Sequence, residues 1–133
     1  METNAKLLRD YNLKATPQRL AIIEVVCEYG HINIDTLYGE IKKKFNSISL
    51  ATIYKNINSM TENGLLLEVK LPNAKSVYEM TKERHAHLKC DECGEVEDIA
   101  IDTESKFEEV SKEHNFKLKT ADVVLSGTCA NCA

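Results

Sequence analysis

The 133-residue chain is 43% hydrophobic and 29% charged, apolar enough to bury a core and too apolar for a disordered tail. No apolar run approaches the roughly 20 residues that cross a bilayer, and Met1-Glu2-Thr3-Asn4 opens no signal peptide, so a soluble cytoplasmic protein is expected. The net charge of −4 argues against a nucleic-acid binder, but it is unevenly spread. Residues 1–72 hold nine Lys/Arg against eight Asp/Glu, and residues 73–133 hold eight against thirteen, so a polyanion should meet the first half.

Residues 1–80 read as four helices and a hairpin. Leu7, Leu8 and Tyr11 mark a short opening helix. Thr16-Pro17 starts the second, a hydroxyl N-cap before a proline at the first helical position. Leu20, Ile23, Val26 and Cys27 then repeat at helical spacing up to Gly30, which predicts Cys27 as a small buried hydrophobe. Asn33 can cap a third helix, which His31 starts. Its inward residues are Ile34, Leu37 and Ile41, with Lys42-Lys43-Lys44 at the negative end of its dipole. Ser49 caps a fourth, apolar at Leu50, Ile53, Ile57 and Met60 and closed by Asn63-Gly64. Leu65, Leu67, Val69 and Leu71 alternate with Leu66, Glu68 and Lys70 as a strand, Pro72-Asn73-Ala74-Lys75 turns, and residues 76–80 return. Helices that end in a two-stranded hairpin describe a winged helix-turn-helix domain over residues 1–80.

Beyond a hinge at about residues 81–83, residues 84–133 read as a small α/β unit, making the whole chain α+β. Strands are expected at 86–89, 95–101, 116–118 and 123–125, with a helix over 103–113 that turns Phe107 and Val110 inward. His114, at that helix's C-terminal end, reads as structural. A unit of about 50 residues usually needs a staple. Cys90-x-x-Cys93 and Cys129-x-x-Cys132, 35 residues apart, offer one, since four thiolates suit a closed tetrahedral zinc site. The same spacing also fits a rubredoxin-like iron centre.

Two further constellations could carry chemistry. His85 and His87 lie two apart on a strand and so face the same way. Glu79, Asp98 and His31 could join them, and such mixed nitrogen and oxygen donors suit Fe(II), Mn(II) or Zn(II). In the fourth helix, Ser49, Thr52, Lys55 and Asn56 are of types that reach base edges from a recognition helix, and Tyr54 could touch the backbone. Lys14, Arg19 and Lys75 could add phosphate contacts. Periodicity alone would equally describe an amphipathic helix with a solvated side.

Ala15-Thr16-Pro17-Gln18-Arg19, Ser49-Leu50-Ala51-Thr52-Ile53-Tyr54 and His85-Ala86-His87-Leu88-Lys89-Cys90-Asp91-Glu92-Cys93-Gly94 resemble the ferric uptake regulator family, in order, from about residue 6 to Cys132. The resemblance implies a metal-dependent, homodimeric repressor of double-stranded operator DNA, with a winged helix in the first half and a dimerisation domain in the second. It further implies structural zinc on the four cysteines and regulatory Fe(II) or Mn(II) on His31, Glu79, His85, His87 and Asp98. Asp98 and the Lys55-Asn56 pair resemble the peroxide-sensing branch, whereas the iron-sensing branch typically has glutamate where Asp98 stands. Glu79 departs from the peroxide pattern, which more often has aspartate. Some members build an auxiliary metal site with a histidine where this chain has Ala121, so that site is not expected. The expected function is therefore a peroxide-responsive repressor, the alternative an iron-responsive one, with no membrane and no small organic substrate involved. A metal-dependent hydrolase would explain the histidines and carboxylates and an electron carrier the cysteines, but neither explains the first 80 residues. The hydrolase motifs H-E-x-x-H and H-x-E with P-C-x-x-C do not occur either.

Overall fold

In the computed structural model, which describes residues 2–82, 85–119 and 121–133 (the side chains of Glu2 and Glu104 excepted), the chain divides into two units, Met1–Lys82 and Glu83–Ala133. The hinge expected at 81–83 thus falls partly, at Glu83, outside the described residues.

Three short polar side chains start the helices of the first unit. Thr16 accepts from the Arg19 amide to open α2 (Pro17–Tyr29), Asn33 from the Thr36 amide to open α3 (Ile34–Lys44), and Ser49 from the Thr52 amide to open α4 (Leu50–Glu62). α1 (Glu2–Asp10) precedes them. Their apolar faces meet in one core, where Leu8, Ile22, Val26, Leu37, Ile41, Ile53, Ile57 and Met60 lose all contact with solvent. Gly64 closes α4 in the left-handed region, at φ 85°, and the Leu65 amide donates back to the Met60 carbonyl at 2.9 Å.

The wing has three strands, one more than the sequence pattern suggests: β1 (Ile32–Asn33), β2 (Leu66–Val69) and β3 (Val77–Met80), in the order β1-β3-β2 and antiparallel. A two-residue strand is too short to show alternation. His31 accordingly leads into β1 and not directly into α3. Leu66 is fully buried where the alternation placed it outward, because at the start of β2 it joins Leu65 in the core of the first unit.

Two helix positions also depart from expectation. The buried arc of α2 centres on Ile22 and Val26. At about 100° per residue, Cys27 shares a side with Leu20 beyond that arc, and it is exposed. Leu50 lies on the apolar side of α4 but at its first residue, past the end of the core, and is 38% exposed.

In the second unit, β4 (Ala86–Cys90) is the central strand, antiparallel to β5 (Val96–Ile99) and parallel to β6 (Val124–Gly127), with α5 (Glu104–Glu113) between β5 and β6 in sequence. Among the described residues of this unit, burial is confined to Ala86, His87, Lys89 and Cys90, all on β4. The strand expected at 116–118 does not form, and Phe116 is 62% exposed. Val110, expected inward, is also exposed. Neither has an apolar layer within its unit to pack against, and a strand without a neighbour makes no ladder.

The core of the first unit predicts its mechanical weak point. Ile57→Ala, at a fully buried site on α4, is expected to lower unfolding free energy by about 2–5 kcal/mol in urea titration. A loss below about 1 kcal/mol would show that the site collapses to fill the void.

Candidate metal centres and nucleic-acid interface

The four cysteines converge because two strand pairings deliver them. Cys90 ends β4, and the turn that follows is held by the Gly94 amide on the Cys90 carbonyl and the Cys90 amide on the Glu95 carbonyl, both at 3.0 Å. Gly94 takes φ 77° there, a conformation side-chain-bearing residues adopt at a cost. The parallel register of β4 and β6 sets Cys90 against Gly127, and the Asp91 amide donates to the Gly127 carbonyl at 2.8 Å, which brings the second cysteine pair to the first. The four sulfurs all lie within 4.8 Å of one another, with Cys93 Sγ and Cys129 Sγ 3.9 Å apart. Thiolates about 2.3 Å from a tetrahedral zinc stand about 3.8 Å apart, so the cluster fits that ion. The backbone amides of Cys93 and Cys129 each donate to Cys90 Sγ at 3.4 Å, and they hold its thiol down to about 6. Cys132, which hydrogen-bonds to Cys129 and Cys90, is pushed up to about 12.

A second donor group sits on the same sheet. The antiparallel register pairs His87 with Asp98 across β4 and β5, and His85 precedes β4 by one residue. His85 Nε2 and His87 Nε2 are 3.0 Å apart, and Asp98 Oδ1 is 3.3 Å from the first and 3.2 Å from the second. Ligand bonds of about 2.1 Å at right angles put donor atoms about 3.0 Å apart, so this triangle matches one face of a six-coordinate ion. Both rings are largely shielded from solvent, and Asp98 is partly so.

The first unit holds its own pair of donors. Ile32 opposes Tyr78 across β1 and β3, so His31 meets Glu79 one step further along. His31 Nε2 is 3.0 Å from Glu79 Oε2, which Lys82 Nζ also approaches at 3.7 Å. Glu79 is 1% exposed, and a carboxylate so buried needs cationic or donor partners.

The candidate nucleic-acid residues all lie in the first unit. Tyr54 and Lys55 are exposed on α4, with Thr52 and Asn56 half-buried beside them. Ser49 Oγ caps the helix and sits 2.9 Å from Thr52 Oγ1, so both hydroxyls already serve the helix start. Lys14 is exposed, whereas Arg19 turns onto the protein and donates to the Lys14 carbonyl and to Asn56 Oδ1. Lys75, at the tip of the wing, is paired with Asp35 in the first turn of α3, and that hydrogen bond raises its pKa. Asp35 escaped the sequence reading, since nothing in spacing links positions 35 and 75.

The Ferric uptake regulator family model matches residues 10–126 of this fold. The chain belongs to the ferric uptake regulator family. The Ferric uptake regulation protein of Haemophilus ducreyi is 32% identical over 136 residues, spanning 98% of this chain and 91% of that protein. The solved ferric uptake regulator of Vibrio cholerae superposes with a TM-score of 0.75 at 33% identity, covering 95% of this chain and 99% of that one. The Campylobacter jejuni peroxide stress regulator superposes with a TM-score of 0.74 at 37% identity, over 96% and 97%. Members of the ferric uptake regulator family are transcription regulators and not enzymes, which removes the hydrolase reading of His85, His87 and Asp98.

The thiol geometry has a pH signature in the metal-free protein. Cys90 is lowered, so its thiolate favours the fold above the ordinary thiol range, and this contribution is lost as pH falls through about 6. Cys132 has the opposite sign, its contribution being present below that range and lost as pH rises through about 12. Thiolate absorbance of reduced, metal-free protein is expected to show a first step near pH 6 that Cys90→Ser removes. Retention of that step in the variant would assign it to another thiol.

Proposed function

We propose that this family member is a homodimeric, metal-dependent repressor that binds double-stranded operator DNA in the cytoplasm and responds to peroxide. Cys90, Cys93, Cys129 and Cys132 hold structural zinc, and His31, Glu79, His85, His87 and Asp98 together hold one regulatory Fe(II) or Mn(II). The observation that carries this reading is the His85–His87–Asp98 triangle, with donor atoms 3.0–3.3 Å apart. Two imidazoles and one carboxylate on one face form the donor set of redox-active non-haem iron. Likeness to a peroxide stress regulator at 37% identity and an aspartate at position 98 support the same branch.

The donors come from both units. His31 and Glu79 belong to the winged unit and the other three to the second, so all five bind one ion only in an arrangement that satisfies both groups. Occupancy favours that arrangement by differential affinity. In a dimer it would hold two copies of α4 at the spacing of two operator half-sites. Exposed Leu88, Leu125, Phe116 and Leu118 in the second unit support a partner copy there, since apolar patches on a free surface mark association sites. Fe(II) held by these five side chains would supply the redox chemistry for a net reaction in which peroxide is reduced to water while its second oxygen is inserted at an imidazole C–H. His31 or His85 is the ring modified; a modified ring is a poor ligand, and the winged unit is released.

Iron sensing without peroxide chemistry is the second reading, favoured by relatives named for ferric uptake and by glutamate at position 79. Operator binding measured with Fe(II), Mn(II) and Zn(II), with and without peroxide, separates the two. Peroxide is expected to release the Fe(II) form and spare the Mn(II) form, with one added oxygen on a peptide containing His31 or His85. An unmodified Fe(II) protein that stays on DNA would establish iron sensing. His31→Ala is expected to abolish metal-activated binding while size-exclusion still reports a dimer, and a variant that keeps its metal response refutes the shared ion.

A further inference from the structure

Arg19 reads from the sequence as a phosphate contact, yet its guanidinium is engaged within the first unit. Nη1 donates to the Lys14 carbonyl at 3.0 Å, and Nε donates to Oδ1 of Asn56 at 3.2 Å. The second bond ties α2 to α4 across 37 positions of sequence, and both side chains are half-buried. A guanidinium only donates, so the end of Asn56 that faces it is necessarily the oxygen. The two N–H groups on Nδ2 are then wholly uncommitted to Arg19, while Oδ1 keeps one lone pair, beside a cation that polarises it.

We propose that Arg19 is the positioning residue for Asn56, and that the pair makes α4 read a hydrogen-bond acceptor on a base edge. This rests on the DNA-binding reading above. A free asparagine recognises adenine through two bonds, accepting from N6 and donating to N7. Here Arg19 occupies the accepting oxygen with a charge-assisted bond, so that paired contact meets competition. Single acceptors remain available to the N–H end: N7 of a purine, O6 of guanine or O4 of thymine. The planar fork holds the Lys14 carbonyl and Asn56 Oδ1 at once, which a lysine ammonium does not reproduce. Arg19 thus shapes what α4 reads without itself touching a base.

The test starts by enriching duplexes from a random-sequence library with Mn(II)-loaded wild-type protein. Affinities are then measured with every base at each position of the enriched site. Arg19→Lys and Asn56→Ala are each expected to flatten preference at the same base pair by about tenfold. Arg19→Lys keeps the wild-type salt dependence, because it keeps the charge. The double variant is no flatter than either single one. Asn56→Asp retains an oxygen for Arg19 but replaces the N–H donors and adds a negative charge that weakens all DNA binding. It is therefore compared by relative affinity across bases, where it loses the same preference. An Arg19→Lys protein that keeps the base preference, or that weakens every sequence by one common factor, overturns the positioning role. So does an additive double variant. Wild-type protein that enriches no sequence overturns the DNA-binding reading itself.

Discussion

The parallel pairing of β4 with β6 is the contact on which the second unit depends. Without it Cys90 and Cys129 are 39 positions apart in the chain; with it, the Cys129 amide reaches Cys90 Sγ. Parallel neighbours cannot be joined by a tight turn, so the chain must pass through β5 and α5 before β6 can dock. Closing so long a loop costs entropy, and only one of the four thiols, Cys90, is buried to offset it. A metal ion on those thiols repays it, and this is how small units with little core are usually stabilised. Because His85 and His87 flank the start of the same strand, whatever fixes β4 also fixes two of the proposed regulatory ligands. Under the proposed reading, folding and sensing are therefore linked through one strand.

The first unit meets its demand differently. Its core is closed by aliphatic side chains from all four helices and needs no ion. What the wing adds is register. The two residues of β1 suffice to bring His31 beside Glu79, and a slip of one residue would turn one of the two side chains to the opposite face. A buried carboxylate is an expensive feature to keep in a wing sheet. Its presence there, paired with an imidazole, is difficult to explain by stability alone, because an apolar pair would pack at lower cost. The proposed ligand role would explain it.

Much of this was legible in the sequence, where local chemistry decides the outcome. Thr16, Asn33 and Ser49 announced their helices because a short side-chain oxygen can reach the amide three residues on in no other common geometry. The inward positions of α3 followed from period alone, as did Ile53, Ile57 and Met60 of α4. The two cysteine pairs declared themselves by spacing. What stayed hidden was decided over distance. Cys27 and Leu50 obey the helical period but lie past the edge or end of the core, whose extent no local pattern encodes. Residues 116–118 have strand composition and no neighbour in the isolated chain. Arg19–Asn56 and Asp35–Lys75 join positions that no motif connects.

Charge explains why control by conformation is effective in such a protein. Zinc on four thiolates would leave that cluster with two net negative charges, added to a second half that already carries five more acidic than basic residues. The DNA-facing half is barely cationic, and two of its candidate contacts are occupied: Lys75 by Asp35, Arg19 by Lys14 and Asn56. Sequence-independent attraction to phosphate scales with the number of free cations, so one winged unit alone should grip DNA weakly. Under the proposed reading, affinity must come from two half-sites engaged at once, where the second contact benefits from the effective concentration set by the first. That gain vanishes when geometry forbids simultaneous binding. A strongly basic domain would stay on DNA whatever the spacing of its partner, whereas a nearly neutral one lets go when its ligands loosen. Under the proposed reading, the weak charge of the first 72 residues is thus what would allow a ligand set of five side chains to govern the whole interaction.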